Sequence, residues 1–504
     1  MDFVPLSRWK DQLIQLLNIA GTEPIFGALM GAKWGPIVFI WIVGGSILGG
    51  AVHDYMSGMM SERNGGQSFT WLIKRYIGDW TRFPILILVI FLMVMVSATF
   101  ARSAGDLLVA ITGLPLMLWI VVILIYFLAS AILPINKFIG KIYPVFGVLL
   151  IVMAVTVIVG LIVGGYNVPD MTFENLHPNG DAFFPDMFIT VACGAISGFH
   201  ATQSPMIARC LKEEKDGRMV FYGAMIIEGV IALMWATAGL AFYEGTAALA
   251  DALAHGGASN VVYDIATGVA GPIGGVLAIL GVLICPITSG DTALRSARMM
   301  IQDDRGMDTN NKKTTVSITV VLMIFIILLG NLDFSVLWSY LSWLNQSLAR
   351  IFLWTATVFL VRLPGKKKYS LITAVPAMFM TMVVTSFIMH SSLGLRLDYT
   401  VSMGIAVFVN VAVTLLTSGS SSGHLPTISL RNSAEDTIIL TDIETIDIKK
   451  NEQGDRGVEP RWPRTMRSRW FPEPFYTTHV PRGMKPERPG GHLYTTSGDR
   501  SMYV

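Results

Sequence analysis

The chain has 504 residues, 53% of them hydrophobic and only 14% charged, with a mean hydropathy of +0.57. Soluble domains carry about a quarter charged residues, so this composition excludes a soluble globular protein and points to one built in lipid. The net charge of +2 identifies no partner, because the basic residues cluster in particular loops, and nothing in it indicates nucleic acid.

Repeated apolar runs without period-two alternation exclude a β-barrel and give an all-α polytopic membrane protein. In chain order, hydropathy predicts about twelve spans, near residues 11–31, 35–60, 83–108, 115–133, 143–165, 187–206, 219–243, 271–288, 314–330, 334–361, 369–389 and 399–417. Residues 1–10 (MDFVPLSRWK) run into the first span with no small-residue cleavage site, so no cleavable signal peptide is expected. The three cysteines, Cys193, Cys210 and Cys285, lie in or beside apolar segments without CxxC spacing. They read as structural thiols, and neither a disulfide framework nor a metal site is indicated.

Basic residues alternate strictly between loops. One set holds Arg63, Lys74, Arg75, Arg82, Lys137, Lys141, Arg209, Lys212, Lys215, Arg218, Arg295, Arg298, Arg305, Lys312, Lys313, Arg362 and Lys366 to Lys368; the intervening loops are acidic apart from Lys33 and Arg396. The positive-inside rule makes the basic set, and both chain ends, cytoplasmic. After about Ser418 the sequence turns polar. Residues 1–418 read as one transmembrane domain and 419–504 as a disordered cytoplasmic tail, in which DTIILTDIETIDI can form a strand or a helix.

Two spans are interrupted. The first contains NIAGTEPIFGALMG, with Gly21, Pro24 and Gly27 in mid-segment and Glu23 between them; the sixth contains ACGAISGFHATQSPMIAR, with Gly194, Ser197, Gly198, His200 and Pro205. Five spans apart, they cross the bilayer in opposite directions. That is the pattern of two inverted five-helix repeats with two extra helices, broken helices 1 and 6 facing each other across a substrate site. Half-helix N-termini would offer N–H groups to a carboxylate and unwound carbonyls would bind a cation. Ordinary Gly and Pro kinks are the alternative for either break alone.

Ionisable and amide groups inside spans are candidate site residues. Glu228, in GAMIIEGVIALMW, either carries a proton or hydrogen-bonds a neighbouring helix; His200 shuttles protons, bonds substrate or is structural. His53 and Asp54, at a helix end, read equally as gate or cap, and Arg102 with Asp106 as an i,i+4 ion pair. In CPITSGDTALRSAR, Pro286 and Gly290 are expected to end the eighth span, leaving Thr288, Ser289 and Asp291 either to hold a cation such as sodium, or, for Asp291, to pair with Arg295 and cap the next helix. Asn345 and Gln346 form an uncharged island flanked by Trp338, Tyr340 and Trp343, suited to a substrate wall or to interhelical hydrogen bonds.

The runs GPIVFIWIVGGSILGGAVHDYMSGMMSERNGGQSFTWLIKRYIG, ITVACGAISGFHATQSPMIAR, YGAMIIEGVIALM, TSGDTALRSARMMIQD and WLNQSLA resemble the carbon starvation protein A (CstA) family of bacterial inner-membrane proteins, over roughly residues 3–418 and in its short form. The resemblance implies a LeuT-like five-plus-five fold and uptake of small nutrients, peptides or pyruvate, during carbon starvation, with H+ or Na+ as coupling ion and no other cofactor. It also implies membrane helices ahead of the NIAG block, where this chain starts at MDFVPL, and a glycine where Glu23 stands; the tail matches nothing in the family. The competing reading is a nutrient sensor that keeps the transporter fold. An enzyme is disfavoured, since neither HExxH nor a nucleophile arrangement occurs and the polar residues lie scattered one per helix.

Overall fold

The computed structural model describes residues 6–132, 135–307, 311–332, 334–363 and 365–419, together with three short strands at 446–450, 456–460 and 478–479. The chain divides into two compact units, Met1–Lys212 with Asp216–Ser421, and Ser422–Val504 with Glu213–Lys215. The second holds the strands Ile446–Lys450, Arg456–Pro460 and Thr478–His479 as an antiparallel sheet, with Ile446 opposite Pro460 and Lys450 opposite Arg456. The expected disordered tail otherwise lies outside the described residues.

The first unit is all-α. The first interrupted segment is α1 (Arg8–Ile19) and α2 (Glu23–Gly31), bent by 52° across the break. The second span is α3 (Val38–Gly45), a π-turn at Ser46–Gly50 and α4 (Ala51–Arg63), followed by the amphipathic α5 (Phe69–Ile77), which Ser68 caps by accepting from Trp71 N. Next come α6 (Arg82–Thr112), α7 (Leu116–Ile132) and α8 (Ile135–Val163). The second interrupted segment is α9 (Phe188–Val191) and α10 (Gly198–Ala208), and α11 (Gly223–Phe242) follows. The run α12 (Thr246–Asp304) turns at Gly257 and Gly271, where φ of +71° and +64° suits glycine. Last are α13 (Lys312–Gly330), α14 (Phe334–Arg362), α15 (Leu371–His390) and α16 (Tyr399–Gly419).

Among the described residues nine helical spans are long and apolar enough to cross a bilayer, ten with the bent α1–α2 pair. The expected count of about twelve further needs α7 and the part of α12 beyond Gly271. Apolar residues such as Val159, Phe325 and Phe408 face outward on α8, α13 and α16, where a soluble protein would place polar ones. The interior gathers around α1, α2, α10, α11 and α14.

One sequence expectation is corrected. Pro286 and Gly290 do not end a helix; α12 continues through both to Asp304. Neighbouring helices are tied to this turn: Ser97 Oγ donates to Gly290 O at 3.1 Å, and Ser289 Oγ donates to Leu17 O at 2.9 Å. Pro286 removes one i→i−4 donor, a loss that a membrane helix packed among other helices tolerates.

Candidate functional site

Both breaks are unwound backbone held inside the protein. The first runs from Ala20 to Thr22, with Gly21 packed so closely on Phe100 that a Cβ there would lie 2.2 Å from Phe100 Cζ. The second runs from Ala192 to Ser197 and contains Ala192 at φ +45°, a conformation that costs a residue with a Cβ about 1–3 kcal/mol. Gly194 sits against Ala232, and α2 packs against this break. Gly198 opens α10 where a Cβ would come within 2.4 Å of both Ala349 N and Asn345 O. Backbone cannot yield as a side chain can, so glycine is required there for α10 to meet α14.

Asn345 ties the breaks together. Its Oδ1 accepts from Phe199 N at 2.7 Å and from Ser197 Oγ at 3.0 Å; its Nδ2 donates to Glu23 Oε2 at 2.8 Å and contacts Cys193 Sγ at 3.2 Å. Cys193 also hydrogen-bonds Glu23 Oε2. The α10 N-terminus, expected to offer free N–H groups, therefore has one of them engaged by an amide oxygen. Gln346 points elsewhere, donating to Phe188 O at 2.7 Å and so bracing α9.

Behind the second break lies a line of buried ionisable groups. His53 Nδ1 and His200 Nδ1 each lie 2.8 Å from a different oxygen of Asp54, and His200 Nε2 faces Glu228 Oε2 at 3.5 Å. All four side chains are fully buried. An ionised Asp54 can only accept, so each ring turns its Nδ1–H toward it, and a neutral ring then carries its lone pair on Nε2. When His200 is neutral and Glu228 ionised, His200 Nε2 and Glu228 Oε2 are two acceptors confronting each other, and neither has a hydrogen-bond partner. Such a pair needs a cation between them. Glu23 Oε1 and Glu228 Oε1 are also unpartnered, in surroundings where an isolated ionised carboxylate is costly.

Sequence reasoning placed Glu23, Ser197, Gly198, His200, Asn345 and Glu228 at the site, and the structure brings them together. That reasoning read Asp54 as a gate or cap and Cys193 as a structural thiol, and placed neither beside His200 and Glu228. Asp54 looked like the end of a span, whereas α4 continues nine residues past it, to Arg63. No sequence spacing links Cys193 to its neighbours, which come from other helices; yet Cys193, His200 and Glu228 hold one ligand atom each within 4.8 Å of one another.

Thr288, Ser289 and Asp291 lie inside α12. Thr288 Oγ1 donates to Ile284 O at 2.9 Å, while Asp291 Oδ2 accepts from Ser130 Oγ at 2.6 Å and lies 3.5 Å from Arg295. A permanent cation already faces Asp291, so the i,i+4 pairing describes its geometry; the helix cap expected with it is not formed, because Asp291 lies inside α12. Arg102 and Asp106 pair at 3.0 Å, as their spacing predicts.

A family model described as carbon starvation protein CstA matches residues 1–113, 103–252 and 241–387. The chain is 38% identical over 310 residues to an uncharacterized membrane protein of Haemophilus influenzae, covering 51% of this chain and 84% of that one. It is 26% identical to the peptide transporter CstA of Campylobacter jejuni, covering 75% and 72%, and 26% identical to the pyruvate/proton symporter BtsT of Escherichia coli, covering 46% and 42%. Among solved structures, MhsT in complex with L-phenylalanine matches with a TM-score of 0.54 at 13% identity, over 83% of this chain and 99% of that one. Mhp1, a nucleobase-cation-symport-1 family transporter, matches with a TM-score of 0.50 at 14% identity, over 82% and 93%. At these identities the likeness is one of fold, and it carries the five-plus-five architecture with broken helices 1 and 6.

Proposed function

The chain belongs to the carbon starvation protein CstA family, and from that premise we propose that it takes up a small carboxylate nutrient, a peptide or pyruvate, together with protons. The substrate carboxylate lies between the two breaks, among Gly21, Glu23, Gly194, Ser197 and Asn345, and protons ride on Glu228 and His200. Both chain ends face the cytoplasm and the protein resides in the cell membrane, a reading supported by the alternation of basic loops.

The observation that carries this reading is the confrontation of His200 Nε2 with Glu228 Oε2 at 3.5 Å beside the second break. One proton shared between them turns two facing acceptors into a hydrogen bond. Glu23 supplies the coupling. An ionised Glu23 repels an arriving carboxylate, whereas a protonated one can donate to it, so substrate and proton bind together. Proton coupling is favoured over sodium because Asp291 is already matched by Arg295 and the Thr288 and Ser289 hydroxyls bond helix carbonyls.

The test is uptake of labelled pyruvate and dipeptides into proteoliposomes under imposed proton or sodium gradients. Accumulation driven by a proton gradient is expected. Uptake of neither compound under either gradient would overturn the assignment.

A further inference from the structure

We propose that Cys193, His200 and Glu228 form a binding site for one divalent transition-metal ion of borderline softness, the Zn2+ or Co2+ class. The proposal rests on donor chemistry and geometry and not on the transport reading.

Three different ligand types, a sulfur, an imidazole nitrogen and a carboxylate, lie within 4.8 Å of one another and are buried. Metal–ligand bonds of about 2.0–2.3 Å in a tetrahedral site put ligand atoms roughly 3.3–3.8 Å apart, so side-chain rotations of about 1 Å close the site. His200 Nε2 and both Glu228 oxygens have no hydrogen-bond partner, and Glu23 Oε1 is equally unengaged beside Cys193. The second, independent feature lies behind the ligand histidine. His200 Nδ1 is 2.8 Å from Asp54 Oδ2, with His53 on the other Asp54 oxygen. That carboxylate–histidine pair fixes the tautomer that presents Nε2 to a metal, the outer arrangement found around most metal-bound histidines. Mixed sulfur, nitrogen and oxygen donors suit Zn2+ and Co2+ and disfavour Mg2+ and Ca2+, which take oxygen ligands. On binding, the Cys193 thiol loses its proton to solvent and the thiolate sulfur donates its electron pair to the ion. The ion uses the same lone pairs as the proton shared by His200 and Glu228, so the two compete.

The test uses the purified full chain without a polyhistidine tag, stripped with chelator and titrated with Co2+ alone. A thiolate-to-cobalt charge-transfer band in the near ultraviolet is expected, abolished by Zn2+ and absent in Cys193→Ser. It should persist in Cys285→Ser, which removes a buried thiol elsewhere. Asp54→Asn should keep the band and weaken binding by about ten- to a hundredfold. Cys193→Ser is nearly isosteric, and its fold is checked by its melting curve without metal. No band in the folded chain, or a band that survives Cys193→Ser, overturns the site. Uptake without the band defeats the metal site alone; the band without uptake defeats the transport reading alone.

Discussion

Replacing Asn345 by alanine tests the joint between the two breaks. The amide makes hydrogen bonds to Phe199 N, Ser197 Oγ and Glu23 Oε2 at 2.7, 3.0 and 2.8 Å, all among buried groups. Alanine leaves the Phe199 N–H without its partner and takes one of two donors from Glu23 Oε2, to which Cys193 still bonds; each loss costs about 1–3 kcal/mol. The serine hydroxyl can rotate toward another acceptor, so it contributes little. Asn345→Ala is therefore expected to destabilise the protein by about 2–5 kcal/mol, lowering its melting temperature in detergent and abolishing uptake. Asn345→Asp separates the two halves of the joint. It keeps the oxygen that caps α10 but sets a second carboxylate against Glu23, so its defect should be partly rescued by Glu23→Gln, whose amide can donate to the new carboxylate. Asn345→Ala with unchanged melting and uptake, or Asn345→Asp with no response to Glu23→Gln, would refute the reasoning.

Other substitutions probe neighbouring parts of the site. Glu228→Gln should fold and bind substrate but lose proton-driven accumulation and its dependence on external pH; an unaltered pH profile of uptake removes Glu228 from the coupling role. Gly198→Ala should abolish uptake because its Cβ meets the α14 backbone, whereas Gly44→Ala, with nothing within 4 Å, should be silent in the same assay. Ala192→Val should cost about 1–3 kcal/mol, since a β-branched residue tolerates positive φ poorly, while Ala192→Gly should melt no lower than the parent; thermal denaturation of both variants decides.

Much of this arrangement was legible in the sequence. The breaks showed themselves because Gly, Ser and Pro interrupt runs that hydropathy otherwise marks as continuous, and Glu228 because it is a lone carboxyl in an apolar span, although its residues left a proton carrier and an interhelical hydrogen bond equally open. Other features depend on three-dimensional neighbours. Whether Pro286 ends a helix depends on how α12 packs among its neighbours, α6 and α1 included, which residues 286–290 alone do not encode. Asp54 gains meaning only when α10 brings His200 beside it. Cys193 acquires partners from α2, α11 and α14, which no spacing within one segment reveals. Asn345 and Gln346 are adjacent and chemically alike, but helical rotation aims one at the breaks and the other at the α9 carbonyls.

The central claim, that substrate and proton enter together through the site between the breaks, is tested most directly by a pH-sensitive dye trapped inside proteoliposomes. Adding pyruvate or a dipeptide outside should acidify the lumen as labelled substrate accumulates, and Glu228→Gln should eliminate the acidification. Substrate accumulating with no change in internal pH would contradict the account.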